Sequence, residues 1–217
     1  MLNEHDRYHR RVVQRTTRTY DLIAHEYCRK TRQQEFLDWE TEYIERLLSL
    51  ITAPEPLILD VGCGDGRHCK LIEELGGSAV GIDLSRRMIA EAKAYYPLGC
   101  YCVMDMCSLQ FGHGCFDGIW SSGSIYHVPK RSIQGVVDEF KRVLKRGGAA
   151  AVSFKRGEGE GLDCEPRSYA GSPRFFAYYM ENEIVGIFSQ AGFKKIESRT
   201  YPEDIYGDGI QQIWFRR

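Results

Sequence analysis

Residues 57–68 read Leu-Ile-Leu-Asp-Val-Gly-Cys-Gly-Asp-Gly-Arg-His, an apolar run that passes into three glycines at alternate positions. The run from Leu57 to Val61 is predicted to be a buried strand, and a helix is expected to begin directly after Gly66. Glycine lets a backbone approach a ligand without a Cβ clash, and a helix N-terminus offers free amide donors. The stretch therefore predicts a turn that binds a negatively charged or acceptor-rich group, the alternative being a tight turn that needs glycine only sterically.

The spacing of this turn separates two kinds of nucleotide site. A dinucleotide fingerprint, G-x-G-x-x-G, would place its third glycine where this chain has Arg67. Asp60 lies inside the strand end, where a carboxylate faces a pyrophosphate unfavourably but can orient an ammonium group. The ligand is therefore expected to carry a positive group.

Aspartates follow the next two predicted strands. Asp83 ends the second strand, in Gly-Ile-Asp-Leu-Ser, and its two oxygens can accept hydrogen bonds from both hydroxyls of a ribose. Asp105 follows the third strand, where a carboxylate can accept from an adenine amino group. Taken singly, either aspartate would also serve as a helix cap. Together with the glycine turn, they predict a nucleoside site.

Strand and helix patterns alternate after Pro56, which predicts a doubly wound α/β sheet. The predicted strands of this part are residues 57–61, 78–82, 99–103, 116–120 and 149–154. The tail is expected to form a helix near 181–191 and an antiparallel pair of strands near 193–200 and 209–216. In front of the sheet, two amphipathic helices are predicted within residues 1–56, the first with Val13 and Ile23 and the second with Phe36 and Leu47 on their apolar faces.

Composition places the chain among soluble globular proteins. It has 217 residues, 43% of them hydrophobic and 27% charged, with a formal net charge of -1. No overall field draws it to nucleic acid or to an anionic membrane, so a small ligand is the expected partner. The chain holds no apolar stretch of the roughly 18 residues that span a bilayer and no apolar signal core at the N-terminus, so a cytoplasmic location is expected.

Charge is nevertheless uneven at the front of the chain. Residues 1–32 hold eight Lys/Arg and four Asp/Glu, whereas residues 33–56 hold one arginine and six acids. Two solvated helix faces would account for this pattern. A nucleic-acid contact on the first segment is the alternative.

The cysteines admit two interpretations. Eight are present, and no CxxC pair with zinc-finger or zinc-ribbon spacing occurs among them. Buried free thiols are therefore preferred to a structural zinc site, and no metal is predicted. The cysteines are at positions 28, 63, 69, 100, 102, 107, 115 and 164.

The chain resembles the class I S-adenosylmethionine-dependent methyltransferases over about residues 57–154. The resemblance rests on LDVGCGDG, GIDLS, MDMCSLQF, FDGIWSSGSIYHV and FKRVLKRGG, in the family's order and spacing. It implies a Rossmann-like seven-stranded sheet whose last strand is antiparallel, with S-adenosylmethionine as cofactor and S-adenosylhomocysteine as product. The implied cofactor contacts are Asp60, Gly62, Cys63 and Gly64 for the methionine portion, Asp83 and Leu84 for the ribose, Asp105 and Met106 for the adenine, Met88 packed on the adenine ring, and the backbone of Ser121 for the ammonium group.

The first helix is expected to act as a lid on this site. The segment from Tyr20 to Arg32 resembles the YDxIAxxY segment that precedes the cofactor domain in many small-molecule and some tRNA methyltransferases. Tyr20, Tyr27 and Arg32 would then line the cofactor entrance, although the tyrosines also fit ordinary helix packing. We accordingly divide the chain into a helical extension or lid, residues 1–56, and a cofactor-binding domain, residues 57–217.

Two further segments are candidates for contact with the acceptor. His127 follows the fourth strand and is the best-placed general base, with a structural histidine as the alternative, and Tyr126 stands beside it. An insert at residues 157–180 is glycine-rich at first and then aromatic, which suits either a cover that closes over the acceptor or a buried strap. Its candidate acceptor contacts are Arg174, Phe175, Phe176, Tyr178 and Tyr179.

Three functions remain open from the sequence. A small-molecule methyltransferase, as a monomer or homodimer, is preferred. The similarity of residues 20–32 to wobble-uridine methyltransferases suggests tRNA as an alternative acceptor, and a non-catalytic cofactor-binding protein is the third possibility. A general base is needed only if the acceptor atom carries a proton with a pKa above the working pH.

Overall fold

The computed structural model describes residues 4–32, 34–163, 173–201 and 209–217. Cys164, the middle of the predicted insert and the side chain of Phe36 lie outside this description. Six helices and nine strands are present in the described ranges. The helices are α1 (Glu4–Thr31), α2 (Gln34–Ser49), α3 (Arg67–Glu74), α4 (Arg86–Tyr95), α5 (Ile133–Val143) and α6 (Glu181–Gln190). The strands are β1 (Leu57–Val61), β2 (Ser78–Asp83), β3 (Cys100–Val103), β4 (Phe116–Ser121), β5 (Leu144–Arg156), β6 (Glu160–Asp163), β7 (Arg174–Tyr179), β8 (Lys194–Thr200) and β9 (Ile210–Arg216).

Seven of the strands form the predicted doubly wound sheet. Five parallel strands run in the order β3-β2-β1-β4-β5, so the strand order reverses between β1 and β4. Strand β9 is antiparallel to β5 along residues 149–155, and β8 is antiparallel to β9. The seven-stranded sheet with an antiparallel last strand is thus confirmed. Ligands of such sheets bind where the strand order reverses, at the carboxyl ends of the strands.

The remaining two strands form a hairpin that extends the sheet. Strand β7 pairs in parallel with the last two residues of β5, and β6 pairs antiparallel with β7. Residues 174–179 therefore form a strand, which the sequence prediction of a cover or strap did not include. Their aromatic residues suit this role, because aromatic side chains pack well on a pleated surface.

Helices cover both faces of the sheet and bury a separate core on each. One core joins α5 and α6 to the sheet, with Val136, Phe140 and Phe188 fully buried. The other joins α2, α3 and α4 to the opposite face through Ile44 and Ile72, among others. The predicted amphipathic helices of residues 1–56 are present as α1 and α2, and α2 ends at Ser49, before the prolines that were expected to stop it. The domain boundary after residue 56 stays a prediction.

The described cysteines are all free thiols. Cys28, Cys63 and Cys69 are buried as expected, whereas Cys100 is exposed at the start of β3. In the described ranges, none of the helices combines the length and apolar character that crossing a membrane requires.

The packing of α6 against the antiparallel strand β9 can be tested by substitution. Phe215 on β9 is fully buried and stacks on Phe188 of α6, with ring centroids 4.2 Å apart. Phe215→Ala is expected to lower the free energy of unfolding by about 3–5 kcal/mol, because it removes the ring and leaves a cavity. Urea unfolding followed by circular dichroism measures this, with Leu98→Ala as control, since Leu98 is 86% exposed. A loss in Phe215→Ala no larger than in the control would contradict this packing.

Candidate functional site

The turn between β1 and α3 depends on its three glycines. Gly62, Gly64 and Gly66 have φ angles of 77°, 54° and 75°, in the left-handed region that favours glycine. A Cβ on Gly62 would lie 2.3 Å from the Cβ of Ser124, and one on Gly66 would lie 2.5 Å from the hydroxyl of Tyr101. The sequence prediction of a glycine-dependent turn is therefore explained by backbone conformation and close packing together.

A cavity lies above this turn at the carboxyl ends of β1, β2 and β4, and α1 covers it. The space between the lining residues, including the part that opens to solvent, is about 910 Å³. The sequence-predicted site residues that line it are Tyr20, Tyr27, Gly62, Cys63, Gly64, Asp83, Leu84, Met88, Asp105, Met106 and His127. The structure thus brings residues from four separate motifs and the lid to one place.

Sequence reasoning missed part of the lining. Val13, Thr16 and Thr17 of α1 face the cavity, and Ser122 with Gly123 forms its wall after β4. The α1 residues precede Tyr20 at spacings of seven, four and three positions, which is one face of a helix. If Thr16 and Thr17 are counted with the apolar residues of α1, the sequence pattern predicts that this face of the helix lines the cavity.

Asp83 is placed to hold a diol. One of its oxygens accepts from the amide of Gly64 at 3.1 Å and the other from the amide of Ser85 at 2.8 Å. Burial raises its pKa to about 6, against the lowering effect of these two amides. A carboxylate lining the cavity with both oxygens oriented fits the ribose that the resemblance implies.

Asp60 and Ser121 lie behind the turn. Asp60 is fully buried, and its Oδ1 makes no hydrogen bond to any described residue, while the thiol of Cys69 approaches Oδ2 at 3.4 Å. Burial raises the pKa of Asp60 to about 6. Ser121 is hydrogen-bonded to Ser124 at 2.7 Å, and Ser124 donates to the carbonyl of Val61 at 2.7 Å. An unpaired carboxylate oxygen under a glycine turn fits a ligand with a cationic group.

Asp105 and Met106 line the end of the cavity beyond β3. One oxygen of Asp105 accepts from the amide of Cys107 at 2.8 Å, which fixes the carboxylate. His9 of α1 lies close to the side chains of Asp105 and Cys107. One potential metal-ligand atom of each of these three residues lies within 4.8 Å of the other two. This trio was not visible in the sequence, because His9 belongs to the lid, and the expectation of no metal stays a prediction.

A buried ionic network holds the glycine turn to the front helices. Arg67 donates two hydrogen bonds to Glu40 of α2, at 2.9 and 3.1 Å, and one to Asp65 at 3.3 Å. The other oxygen of Asp65 accepts from Arg32 at 2.9 Å. Burial opposes ionisation of Glu40, but Arg67 and then His68 outweigh it and lower its pKa to about 2. Arg67, in the sequence only a departure from the dinucleotide fingerprint, is therefore the centre of this network.

Arg32 was predicted to line the cofactor entrance, and the structure places it outside the cavity. Besides bonding Asp65, its guanidinium lies over the ring of Tyr95 at 4.2 Å and donates to the carbonyl of Glu91 at 3.3 Å. It joins the end of α1 to α4 and to the turn. A direct cofactor contact stays a prediction without support from these distances.

Tyr20 and His127 form a hydrogen-bonded pair at the cavity wall. Nδ1 of His127 lies 2.6 Å from the carbonyl oxygen of Phe175, which can only accept, so Nδ1 carries the proton. Nε2 must then accept from the hydroxyl of Tyr20 at 2.8 Å. Arg174 donates to the same hydroxyl at 3.1 Å. The direction of every hydrogen bond in this chain is therefore determined.

This environment keeps His127 neutral. Burial, and then the charge of Arg174, lower its pKa to about 3, and burial raises the pKa of Tyr20. A histidine with both nitrogens engaged and a low pKa is a poor general base. The geometry supports the alternative of a structural histidine, here one that orients Tyr20.

The predicted acceptor contacts lie behind the cavity wall. Phe175 and Tyr179 of β7 are buried in the core beside α5 and α6. Arg174 and Phe176 face the other way, where the ring of Phe176 lies 4.9 Å from that of His127. The remaining two are Tyr126, buried 4.8 Å from His127, and Tyr178, half-buried 6.3 Å from Phe176. The segment therefore resembles a buried strap more than a mobile cover.

Comparison with known proteins finds a family model and several relatives that match part of this chain. Residues 59–152 match the methyltransferase domain family. The 18S rRNA (guanine-N(7))-methyltransferase of Schizosaccharomyces pombe is 32% identical over 146 residues, which cover 62% of this chain and 53% of the relative. The 2-methyl-6-phytyl-1,4-hydroquinone methyltransferase of Synechocystis is 31% identical over 104 residues, covering 46% and 32%. The chain thus spans about a third to a half of the length of these relatives.

A solved structure matches over the whole chain. The 1,6-didemethyltoxoflavin-N1-methyltransferase of Burkholderia thailandensis, with its substrate and S-adenosylhomocysteine bound, superposes with a TM-score of 0.75. The match covers 100% of this chain and 91% of that chain at 17% identity. At this identity the likeness establishes a common fold.

The pKa of Asp83 leads to a prediction for cofactor binding. Ribose hydroxyls need the ionised carboxylate as acceptor, so binding must expel a proton wherever the free protein holds one. The affinity for S-adenosylhomocysteine is expected to be constant above about pH 7 and to fall roughly tenfold per pH unit below about pH 6. Calorimetry in two buffers of different ionisation enthalpy would detect the released proton.

Two variants separate the contributions to this pH dependence. Asp83→Asn is expected to weaken binding at neutral pH and to remove most of the pH dependence. Asp60→Asn should remove the remainder, because burial raises the pKa of Asp60 to a similar value. An affinity that stays constant from about pH 5 to about pH 8 in the unmodified protein would show that neither carboxylate is linked to binding.

Proposed function

We propose that this chain, whose residues 59–152 match the methyltransferase domain family, is an S-adenosylmethionine-dependent methyltransferase that transfers the methyl group to a small-molecule acceptor. One observation carries the proposal. A single cavity under α1 joins the cofactor-binding motifs, represented by Gly64 and Asp83, to the polar wall formed by Tyr20 and His127. Cofactor and acceptor would meet in the space enclosed between that wall and the turn.

The residues present fit the cofactor. The glycine turn leaves room for a ligand backbone, Asp83 offers two oriented oxygens, and Asp60 holds an unpaired oxygen beneath the turn. When bound, S-adenosylmethionine supplies an electrophilic methyl group on a sulfonium. The chain would hold the methionine portion at residues 60–64, the ribose at Asp83 and Leu84, and the adenine between Met88 and Asp105.

Orientation and exclusion of water are the catalytic devices that this site supports. Helix α1 is held over the cavity at several points: Thr16 accepts from the amide of Phe175 at 3.2 Å, Thr19 donates to the carbonyl of Pro173 at 2.9 Å, and Asp21 accepts from the hydroxyl of Ser85 at 2.6 Å. A lid held in this way keeps two reactants in one geometry and keeps water out. Transfer would then need a general base only if the acceptor atom carries a proton with a pKa above the working pH.

Tyr20 is the side chain best placed to orient the acceptor. Its proton is committed to His127, and one lone pair accepts from Arg174, so it can only accept from a group in the cavity. An acceptor with an N–H or O–H group is the natural partner of such an oxygen. His127 and Arg174 act through Tyr20, and Phe176 packs behind them.

The range of relatives supports a small acceptor without choosing one. A 2-methyl-6-phytyl-1,4-hydroquinone methyltransferase is a sequence relative, and a didemethyltoxoflavin methyltransferase shares the fold; both are named for small molecules. The Schizosaccharomyces relative is named for rRNA, so RNA is the competing acceptor.

Transfer of labelled methyl groups tests the proposal directly. The protein and methyl-labelled S-adenosylmethionine, incubated with fractionated cell extract, are expected to label a low-molecular-mass fraction. Asp83→Asn should abolish the labelling, because it removes the proposed ribose contact. Label found only in RNA or only in protein would contradict the small-molecule acceptor, and no transfer in any fraction would contradict the activity.

The Tyr20 chain predicts a specific kinetic pattern. Tyr20→Phe removes the hydroxyl proposed to orient the acceptor and leaves the acceptor's N–H or O–H group without a partner in the closed site, a loss of about 1–3 kcal/mol, so turnover should fall roughly fivefold to hundredfold. Cofactor affinity should change much less, and Tyr96→Phe, outside the cavity, should behave as the unmodified protein. The rate of methyl transfer to the labelled fraction gives the turnover of the unmodified protein and of both variants.

The pH dependence of turnover tests the role of His127. Because its pKa lies near 3, turnover measured with S-adenosylmethionine saturating at every pH should show no inflection near the ordinary histidine value of about 6.5. Saturation removes the pH dependence of cofactor binding that Asp83 is expected to cause. An inflection there that disappears in His127→Gln would restore the histidine as a general base.

A further inference from the structure

The outward face of α1 is lined with arginine. Arg10, Arg11, Arg15 and Arg18 are exposed, as is Arg7 at the start of the same face. The opposite face of the helix is packed onto the protein, with Val12, Thr16, Thr19 and Ile23 buried. The arginines therefore lie on the surface of the lid, across the helix from the cofactor cavity.

Acidic residues are scarce along this part of α1. Asp21 is the one acid between residues 7 and 25, and it faces inward, where it accepts from the hydroxyl of Ser85 and the amide of Arg87. In the part of the chain that the structure describes, Arg10, Arg11, Arg15 and Arg18 form no ion pair. Since the whole chain has a net charge of -1, the positive potential is local to this face.

Further arginines extend the positive surface at both ends. The guanidinium of Arg131 lies 3.8 Å above the ring of Tyr8, and Arg131 is exposed. Near the other end, Arg86 and Arg87 are exposed at the start of α4, next to Asp21. The charged surface is thus longer than one helix face.

The arginines of α1 form a row along the helix. Positions 7, 11, 15 and 18 lie on one side of an α-helix, and the rise of about 1.5 Å per residue places the first and last about 16 Å apart. A shallow groove runs along part of this row, between Arg11, Arg15 and Leu22. Guanidinium groups about one helical turn apart can each hold a phosphate with two parallel hydrogen bonds.

We propose that this row binds the phosphate backbone of RNA without reading its sequence. A membrane surface fits less well, because an interfacial helix needs an apolar face to insert, and here that face is buried while Leu22 is the one exposed large apolar side chain of α1 among those described. A protein interface would need an apolar centre that this face lacks. RNA is preferred to DNA, which has the same phosphate chemistry, because a relative that matches 62% of this chain is named for rRNA.

The proposal goes beyond the small-molecule methyl transfer proposed above and does not depend on it. RNA on this row would lie on the far side of α1 from Tyr20 and the cavity. Binding and methylation can therefore be measured separately, and either can fail alone.

Fluorescence anisotropy with the full-length protein tests the proposal. The probes are a labelled single-stranded RNA oligonucleotide and tRNA, titrated over a series of salt concentrations. Each phosphate neutralised on a single strand contributes about -0.7 to the slope of log affinity against log salt, so four contacts give a slope of roughly -3. The same titration uses single-stranded DNA of the same sequence and anionic phospholipid vesicles as comparison probes.

Matched variants locate the contact. The triple variant Arg11→Gln, Arg15→Gln, Arg18→Gln is expected to reduce the slope by roughly 2 and to weaken RNA binding at low salt by at least about tenfold. The control Lys93→Gln, Arg146→Gln, Lys194→Gln removes the same charge from exposed positions elsewhere and should bind RNA nearly as the unmodified protein does. Unchanged affinity for S-adenosylhomocysteine in both variants would show that the fold is intact.

Three results would overturn the proposal. They are the absence of salt-dependent RNA binding by the unmodified protein, an equal loss of binding in the arginine variant and its control, and tighter binding to the vesicles or to DNA than to RNA. None of them bears on methyl transfer to a small molecule, which the labelling experiment tests by itself.

Discussion

The site depends on a backbone turn that has no room for side chains. Gly62 and Gly66 leave β1 in left-handed conformations, with Ser124 and Tyr101 packed where their Cβ atoms would be. The turn then directs the amide of Gly64 to Asp83 at the end of β2, which joins two adjacent strands by one hydrogen bond at the cavity floor. Because this bond orients a buried carboxylate, the conformation of three residues determines where a ribose can lie.

The lid is tied to this turn by charge. Arg32 at the end of α1 bonds to Asp65 of the turn, and Glu40 in α2 bonds to Arg67, which also bonds to Asp65. Glu40, Asp65 and Arg67 are all buried. Removing one member of a buried ionic network leaves an uncompensated charge, which is strongly unfavourable. The cover of the cavity and its floor are therefore a single structural unit. At the opposite wall, Tyr20 joins α1 to the segment after β4 and to β7 in the same way, through His127 and Arg174.

Most of the sheet and the floor of the site were predictable from sequence, because their signals are local. The five central strands are short and mainly apolar, Asp83 is the last residue of β2, and Asp105 comes two residues after β3. The chain from Arg174 through Tyr20 to His127 was not predictable, since it joins residues more than a hundred positions apart. Burial and the neighbouring guanidinium then change the chemistry expected of His127, from a base near neutral pH to a neutral acceptor.

The sequence by itself determined the α/β architecture, the glycine turn and the positions of Asp83 and Asp105 after their strands' apolar residues, because backbone conformation and hydrophobic period are set by near neighbours along the chain. Tertiary structure alone decided that residues 174–179 join the sheet as β7, that Arg67 pairs with Glu40, and that one face of α1 covers the cavity while the other exposes arginine. These features depend on which surfaces meet after folding. Burial and the direction of hydrogen bonds depend on the contacts between distant segments, so no short stretch of residues determines them.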